Sequence, residues 1–412
     1  MPKDSNFHTI IIGAGPAGLF AAANIQSSQT LIIEKKESPG RKLLISGTGQ
    51  CNFTHAGSMS DFKNHFGENY QFLSKALKTF TNQDAIEFFK AKGVNCIIDP
   101  NGKVFPVSLK AADILNALLF SCRNAGAVLQ TGSGVLSIQK ENDKFVVNTD
   151  SVSYTSDFLI LATGGKSYPT TGSTGDGYRF AASLGHTIVE PRPALAPITV
   201  SNYELAELAG ISFQNIEITQ WRDNKKLRTF IGDIVLTHTG LSGPGILNNA
   251  RYFMPGDELM LNFSNVPESE FEQQFVSQAN STGKMPISSY IKNTGIPKNL
   301  ANFILLKVIG SLTRPMAEIS KFQRKTLINH CCAYPFIISQ VGSFKTAMAT
   351  AGGVALHEIN PSTMESLLVP KLYFCGEVMN IDGDTGGYNI QAAMSTAYLA
   401  AMNISKASET FF

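Results

Sequence analysis

Thr9-Ile10-Ile11-Ile12-Gly13-Ala14-Gly15-Pro16-Ala17-Gly18 decides how this chain begins, because an apolar run is delivered straight into a glycine turn. An alanine-rich stretch follows, then Leu31-Ile32-Ile33, closed by Glu34. A strand, a glycine turn, a helix and a second strand ending in a carboxylate form the unit that binds the ADP half of a dinucleotide. Each glycine has its own task. Gly13 permits the tight turn, Gly15 lets backbone approach a pyrophosphate, and Gly18 lets the helix pack closely on the strand. Ala14, Pro16 and Ala17 complete the turn and the helix start, whose amides face phosphate. Glu34, sixteen residues past Gly18, is placed to accept ribose hydroxyls and disfavours a 2′-phosphate. The expected ligand is therefore FAD or NAD, not NADP.

Working outward, Lys35 follows the carboxylate, and Ser38 to Asn52 form a glycine-punctuated stretch with two adjacent cations. Such a stretch suits a loop returning over the pyrophosphate, with Arg41 and Lys42 neutralising phosphate charge and Ser46, Gly47 and Asn52 lining the same ligand. Cys51 has no partner cysteine two residues away and reads as a small buried residue. Helical spacing recurs over 72–92 and again from Lys110 to Ala125, and the extended stretch from Val135 to Ile138 is expected to put Val135 beside the adenine. Strands are predicted at Phe145 to Asn148 and Phe158 to Ala162, the latter stopped by Thr163-Gly164-Gly165. A buried apolar strand ended in this way belongs at the carboxyl edge of a parallel sheet, where doubly wound folds bind ligand.

Composition narrows the function classes. The chain has 412 residues, 43% hydrophobic and 16% charged, enough for two or three domains. A net charge of +2 gives no electrostatic case for a nucleic-acid or anionic-membrane partner. The N-terminal apolar stretch is broken by glycine and proline and lacks the basic start of a secretory signal. The six cysteines form neither a C-x-x-C pair nor a metal-ligand spacing, so reduced thiols in the cytoplasm and no metal are expected.

Near the C-terminus, Leu372 to Phe374 reads as a buried strand leading through Cys375 to Gly376 and Glu377. Asp382 to Asn389 is rich in glycine and opens a helix running to about Met402. Asp382 and Asp384 suggest a calcium loop, but the closing glutamate and the spacing of that motif are missing. A second helix start with a glycine-rich entry suits a partly negative group.

Ala162-Thr163-Gly164-Gly165 resembles the strand-ending motif of flavoproteins with two dinucleotide-binding domains. Together with Pro39 to Asn52, Gly102 to Ser108, His238 to Pro244 and Gly376 to Asn389, it makes the chain similar to the BaiN-like family of FAD-dependent oxidoreductases, which includes YhiN-type proteins and aminoacetone oxidases. The resemblance covers nearly the whole chain and implies noncovalent FAD instead of NAD. It implies that Ala162, Thr163 and Gly164 pass near the cofactor and that Gly376 and Glu377 hold the ribityl chain or a bridging water. By the same resemblance Gly386, Gly387, Tyr388, Asn389 and Ile390 lie against the N1/O2 edge of the isoalloxazine. Gln50 stands where that family often has arginine, whereas Asn52 is kept.

If both ends of the chain build one FAD site, the middle is an insertion. Residues 1–190 and 345–412 are expected to form a discontinuous, Rossmann-like α/β domain of the glutathione-reductase kind. Alternation such as Ile211, Phe213, Ile216 and Ile218 predicts an antiparallel, barrel-like β domain over 191–268 and 331–344. Residues 269–330 show helical spacing and are read as a small helical subdomain.

Flavin supplies redox chemistry, and protein supplies orientation and electronics. His238 is the candidate acid or base, with a structural histidine as the competing reading. Lys166, Ser167 and Tyr168 follow the Thr-Gly-Gly turn towards the same cleft. The substrate is expected to be a small organic molecule, with either NAD(P)H as a transient co-substrate or O2 as redox partner. Gly172-Ser173-Thr174-Gly175-Asp176-Gly177 is also similar to fumarate-reductase-like flavoproteins, which reduce carbon–carbon double bonds with an arginine proton donor; Arg222, Arg228 and Arg251 lie in the insertion. Two readings of another class are a flavin-binding sensor and a tRNA-modifying flavoprotein.

Overall fold

The structure is a computed structural model that describes residues 5–26 and 29–409. Its contacts divide the chain into two compact units, Met1–Leu195 with Phe344–Phe412, and Ala196–Ser343.

The first unit is built on a mostly parallel sheet. Its strand order is Val128–Gln130, Thr30–Ile33, Asn6–Ile12, Ser153–Leu161, Lys144–Thr149, Val135–Glu141. Asn6–Ile12 pairs in parallel with Thr30–Ile33 on one side and Ser153–Leu161 on the other. The chain thus starts at the sheet's centre and winds outward both ways, which opens a crevice at the carboxyl ends of the central strands. Ser153–Leu161 changes neighbours along its length: its first half pairs antiparallel with Lys144–Thr149, and its second half pairs in parallel with Leu372–Phe374. The C-terminal strand therefore completes the sheet begun by the N-terminal one. Ile10, Ile11, Leu31, Ile32, Leu159 and Ile160 are fully buried, as strands covered on both faces require. Helix Pro16–Asn24 packs between Ala111–Asn124 and the long C-terminal helix Tyr388–Glu409.

The second unit contains a closed antiparallel barrel of six strands: Ile198–Val200, Gly240–Ser242, Lys225–Leu236, Ser212–Arg222, Glu258–Asn262 and Tyr334–Val341. Closure removes the free edges that an open sheet would expose. Helices Glu268–Ser281, Ile287–Lys292, Lys298–Ile309 and Lys321–Cys332 share one apolar core with the barrel through Phe271, Phe275, Leu305 and Leu327. Among the described residues no helix is long and apolar enough to cross a membrane, and no group of three or more His, Cys, Asp or Glu is placed to hold a metal ion.

Candidate functional site

The three glycines of the first turn meet three different surroundings. Gly13 has φ +104°, and a Cβ there would lie 2.6 Å from the Ala162 carbonyl oxygen. A Cβ on Gly18 would lie 1.9 Å from the Gly13 oxygen, so helix and strand approach as closely as backbone allows. A Cβ on Gly15 would meet nothing within 4 Å. Gly15 also caps helix Pro16–Asn24 without any side-chain hydrogen bond, so the first amides of the helix open onto clear space. Open space at a helix start is a kind of place that can receive an anion.

Glu34 is held by two backbone donors, with Ala14 N–H donating to Oε2 and Lys36 N–H to Oε1, both at 2.9 Å. Each carboxylate oxygen retains a lone pair for a hydroxyl. The loop ahead of Val135 folds against this edge, since Ser133 N–H donates to the Glu34 carbonyl and Gly132 N–H to that of Lys36. Lys35 turns to Asp176, 2.6 Å away, and ties the Gly172–Gly177 loop to the second strand.

The two ends of the chain join at Glu377. Lys42 Nζ lies 2.8 Å from Glu377 Oε2, while Thr350 N–H donates to Oε1 at 2.8 Å. Thr350 Oγ1 in turn accepts from the amides of Lys166 and Ser167, at 2.9 and 3.1 Å. Gly165 leaves room for this junction, because its Cβ would lie 2.4 Å from Thr350 Oγ1. The expected phosphate cation Lys42 is therefore spent mainly on Glu377, and Arg41, exposed on the same short helix, is the freer charge. Gly376 meets the first helix directly, its Cβ position lying 3.1 Å from that of Ala17.

Ser46 to Asn52 is a strained segment. Thr48 and Cys51 hold φ of 56° and 60°, conformations that cost a non-glycine residue about 1–3 kcal/mol and cluster at ligand sites. Cys51 is wholly buried, and burial pushes its thiol up to about 12. Beside it, the Asn52 side-chain oxygen is buried with no hydrogen-bond partner. The Tyr178 hydroxyl is likewise buried and unpartnered, and burial, with the nearby Glu377 charge, raises its pKa. Buried polar atoms left unpaired in this way are groups that a bound polar ligand can satisfy.

At the last helix, Gln391 N–H makes the first intrahelical bond, to the Gly387 carbonyl at 3.1 Å. The amides of Tyr388, Asn389 and Ile390 lie ahead of that ladder. Asn389 spends its side chain on its own loop, accepting from Gly383 N–H and donating to the Gly383 carbonyl, both at 2.8 Å. The Tyr388 ring is buried among Phe62, Phe66, His55 and His65. Backbone is thus the part of this turn that can meet a ligand.

His238 lies in the other unit, on an exposed turn between strands Lys225–Leu236 and Gly240–Ser242. Arg222 and Arg228 of the insertion are engaged. Arg222 makes two bonds to the buried Asp257, Nε to Oδ1 at 2.6 Å and Nη2 to Oδ2 at 2.9 Å. Burial works against the Asp257 charge, but Arg222, the Met254 amide and Gln220 outweigh it and hold the carboxyl below its ordinary value. Arg228 donates to Gln220 and lies over Tyr252, 4.4 Å from the ring centroid.

The HI0933-like protein Rossmann domain family matches residues 7–403. The chain belongs to this family. It is 32% identical over 405 residues to a ribosomal RNA dihydrouridine synthase of Haemophilus influenzae, covering 96% of this chain and 98% of that one. It is 31% identical over 400 residues to a 3-dehydro-bile acid delta(4,6)-reductase of Clostridium scindens, covering 95% and 97%. An open-conformation flavocytochrome c3 fumarate reductase shares the fold, with a TM-score of 0.50 at 15% identity over 98% of this chain and 78% of that one. The BaiN-like resemblance and the Rossmann-like α/β fold therefore stand, and the chain is an FAD-dependent oxidoreductase by family. The expectation of no nucleic-acid partner has to be reopened, because net charge alone does not separate a ribosomal RNA modifier from a small-molecule reductase.

Sequence reading missed Thr350 and Tyr178. Tyr178 directly follows the Gly172–Gly177 motif and was within reach of it. Thr350 belongs to no motif, and only the folded chain brings it to Glu377.

Proposed function

We propose that this protein uses bound FAD to reduce a carbon–carbon double bond conjugated to a carbonyl in a six-membered ring, with NADH or NADPH as reductant. Dihydrouridine is uridine whose ring double bond has been reduced, and a delta(4,6)-reductase acts on double bonds conjugated to a ring ketone. The two relatives, so different in substrate size, share this one reaction. That shared chemistry carries the reading, and the orphaned atoms and open turn in the first unit support it.

The residues fit the cofactor. The space over Gly15, at the head of helix Pro16–Asn24, would take the pyrophosphate, and Glu34 the adenosine ribose. Val135 and the loop before it would border the adenine. Asn52, Thr163, Gly164, Gly376 and Glu377 would surround the linker, with the Lys42–Glu377 pair fixing the carboxylate. The amides of Gly387, Tyr388, Asn389 and Ile390 would face the pyrimidine edge, where a helix start favours negative charge. FAD so bound supplies a hydride donor and a planar surface for the ring to stack on. The chain's own contribution is to hold the ring, exclude water and deliver a proton.

We place the protein in the cytoplasm, where nicotinamide is available; all six cysteines are free thiols. The test is anaerobic. Protein reduced with NADPH is mixed with a 3-oxo-4,6-diene steroid or with protein-free ribosomal RNA, and flavin reoxidation and product mass are followed. A gain of two hydrogens in one acceptor supports the reading and identifies the substrate source. Reduction of neither acceptor, with reoxidation only in a parallel aerated sample, would return the protein to the oxidases.

A further inference from the structure

We propose that His65 is the proton donor of this reductase and that Asp384 holds its ring for the task; the inference rests on the double-bond reduction proposed above. Adding hydrogen across a conjugated double bond needs two deliveries. The β-carbon receives a hydride, and the α-carbon a proton from an acid within reach.

The seven histidines can be sorted by what their ring nitrogens touch. His8 meets Thr9 Oγ1 and Ser408 Oγ, at 2.9 and 2.7 Å. His55 accepts from Gly57 N–H on Nδ1 and donates from Nε2 to the Asn101 carbonyl. His186 is buried against Ser366, and His330 is bonded to the carbonyl one turn before it. His357 and His238 lie on the surface, the first 3.8 Å from Glu358 and the second on the barrel turn.

His65 differs. Its Nδ1 lies 3.1 Å from Asp384 Oδ2, and the Asp384 amide donates back to the His65 carbonyl at 2.9 Å. One face of its ring stacks on Tyr388, with centroids 4.0 Å apart and planes 16° from parallel. Carboxylate, backbone and aromatic ring together fix the imidazole. A carboxylate on Nδ1 selects the tautomer protonated there, so Nε2 is the nitrogen left to pass a proton outward. Nε2 has no hydrogen-bond partner among the described residues, and the side chain keeps 32% of its surface open. The dyad sits at the glycine-rich entry to helix Tyr388–Glu409, the turn assigned to the flavin's pyrimidine edge.

The step balances. NAD(P)H is the net reductant, and the β-carbon gains its hydride by way of the flavin. The electron pair released from the double bond forms the new α-carbon to hydrogen bond, with the proton leaving His65 Nε2. The imidazole is reprotonated from water, and Asp384 keeps its bond to Nδ1 throughout.

His65→Gln and His65→Asn holoproteins, reduced anaerobically with NADPH, are mixed with the 3-oxo-4,6-diene steroid and with ribosomal RNA. Flavin content and its reduction by NADPH are expected to stay within about threefold of wild type, while reoxidation by the acceptor slows by roughly 10²–10⁴-fold. Asp384→Asn is expected to slow the same step by roughly 10–100-fold. A readout independent of turnover is the ¹⁵N spectrum of histidine-labelled protein. Nδ1 of His65 should carry a proton in both the donor ring and the neutral ring left after donation in wild type, and lose that preference in Asp384→Asn. Unslowed reoxidation in both His65 variants, or an Nε2–H tautomer in wild type, overturns the proposal. Wild-type protein that reduces neither acceptor overturns the double-bond reading itself, and the donor with it.

Discussion

Replacing Gly15 by alanine separates fold from function more cleanly than any other change in the first turn. Gly15 has φ −82° and ψ −176°, extended backbone open to any residue, and its added Cβ meets nothing within 4 Å. The unfolded chain loses freedom on the substitution, so the apoprotein should be more stable by about 0.4–1 kcal/mol. The same methyl group occupies the space assigned to the pyrophosphate. Displacing the phosphate from two helix-start amides forfeits hydrogen bonds to a charged group, each worth about 1.5–3 kcal/mol. A loss of about 3 kcal/mol corresponds to a dissociation constant raised roughly 150-fold. The assay is quenching of FAD fluorescence on titration into deflavinated protein, with a urea melt of the same apoprotein. Gly18→Ala is the contrast, since its methyl group would overlap the Gly13 carbonyl and must damage the fold itself. FAD binding to the Gly15→Ala protein within about threefold of wild type would refute the phosphate assignment.

Three further outcomes are expected. Glu34→Ala strands the Ala14 and Lys36 amides and removes the ribose acceptor, so FAD affinity should fall by roughly 10–100-fold at an unchanged flavin absorption maximum, as equilibrium dialysis would show. Lys42→Met leaves Glu377 with the Thr350 amide alone; the pair is about one-fifth exposed, so the urea midpoint should fall by the equivalent of about 1 kcal/mol. Asp257 titrates below its unfolded value, so its stabilisation of the barrel is complete above the ordinary carboxylate range near pH 4 and is lost as pH falls through the lower folded value. Trp221, the chain's single tryptophan, reports that unit; Arg222→Leu should weaken this acid dependence of its melting, and an unchanged pH profile would show the pair to be inert.

The first turn was legible because its constraints are local. Gly13, Gly15, Gly18 and Glu34 stand within a few residues of the elements they serve, and spacing alone exposes a backbone that must bend, approach or pack. The strand predicted from Phe158 to Ala162 was found as Ser153–Leu161, and the alternation around Ile211 to Ile218 as the long barrel strand Ser212–Arg222. Short closing strands such as Gly240–Ser242 carry too few residues for any period to show. What the sequence hid lies between distant positions. Lys42 meets Glu377, and Asp384 meets His65, across more than three hundred residues, and no local pattern encodes either pair. Arg222 illustrates the converse, a charged residue in a plausible place whose bonds to Asp257 appear only once the barrel closes.

The parallel pairing of Leu372–Phe374 with Ser153–Leu161 has a consequence for biosynthesis. While the ribosome is still making the barrel unit, the hydrogen-bonding rim at Leu159 to Leu161 has no neighbour on that side. The inserted unit owns a separate apolar core and can compact during this interval. Completion of this sheet must wait until Leu372–Phe374 has been made, so products truncated before it should be sticky.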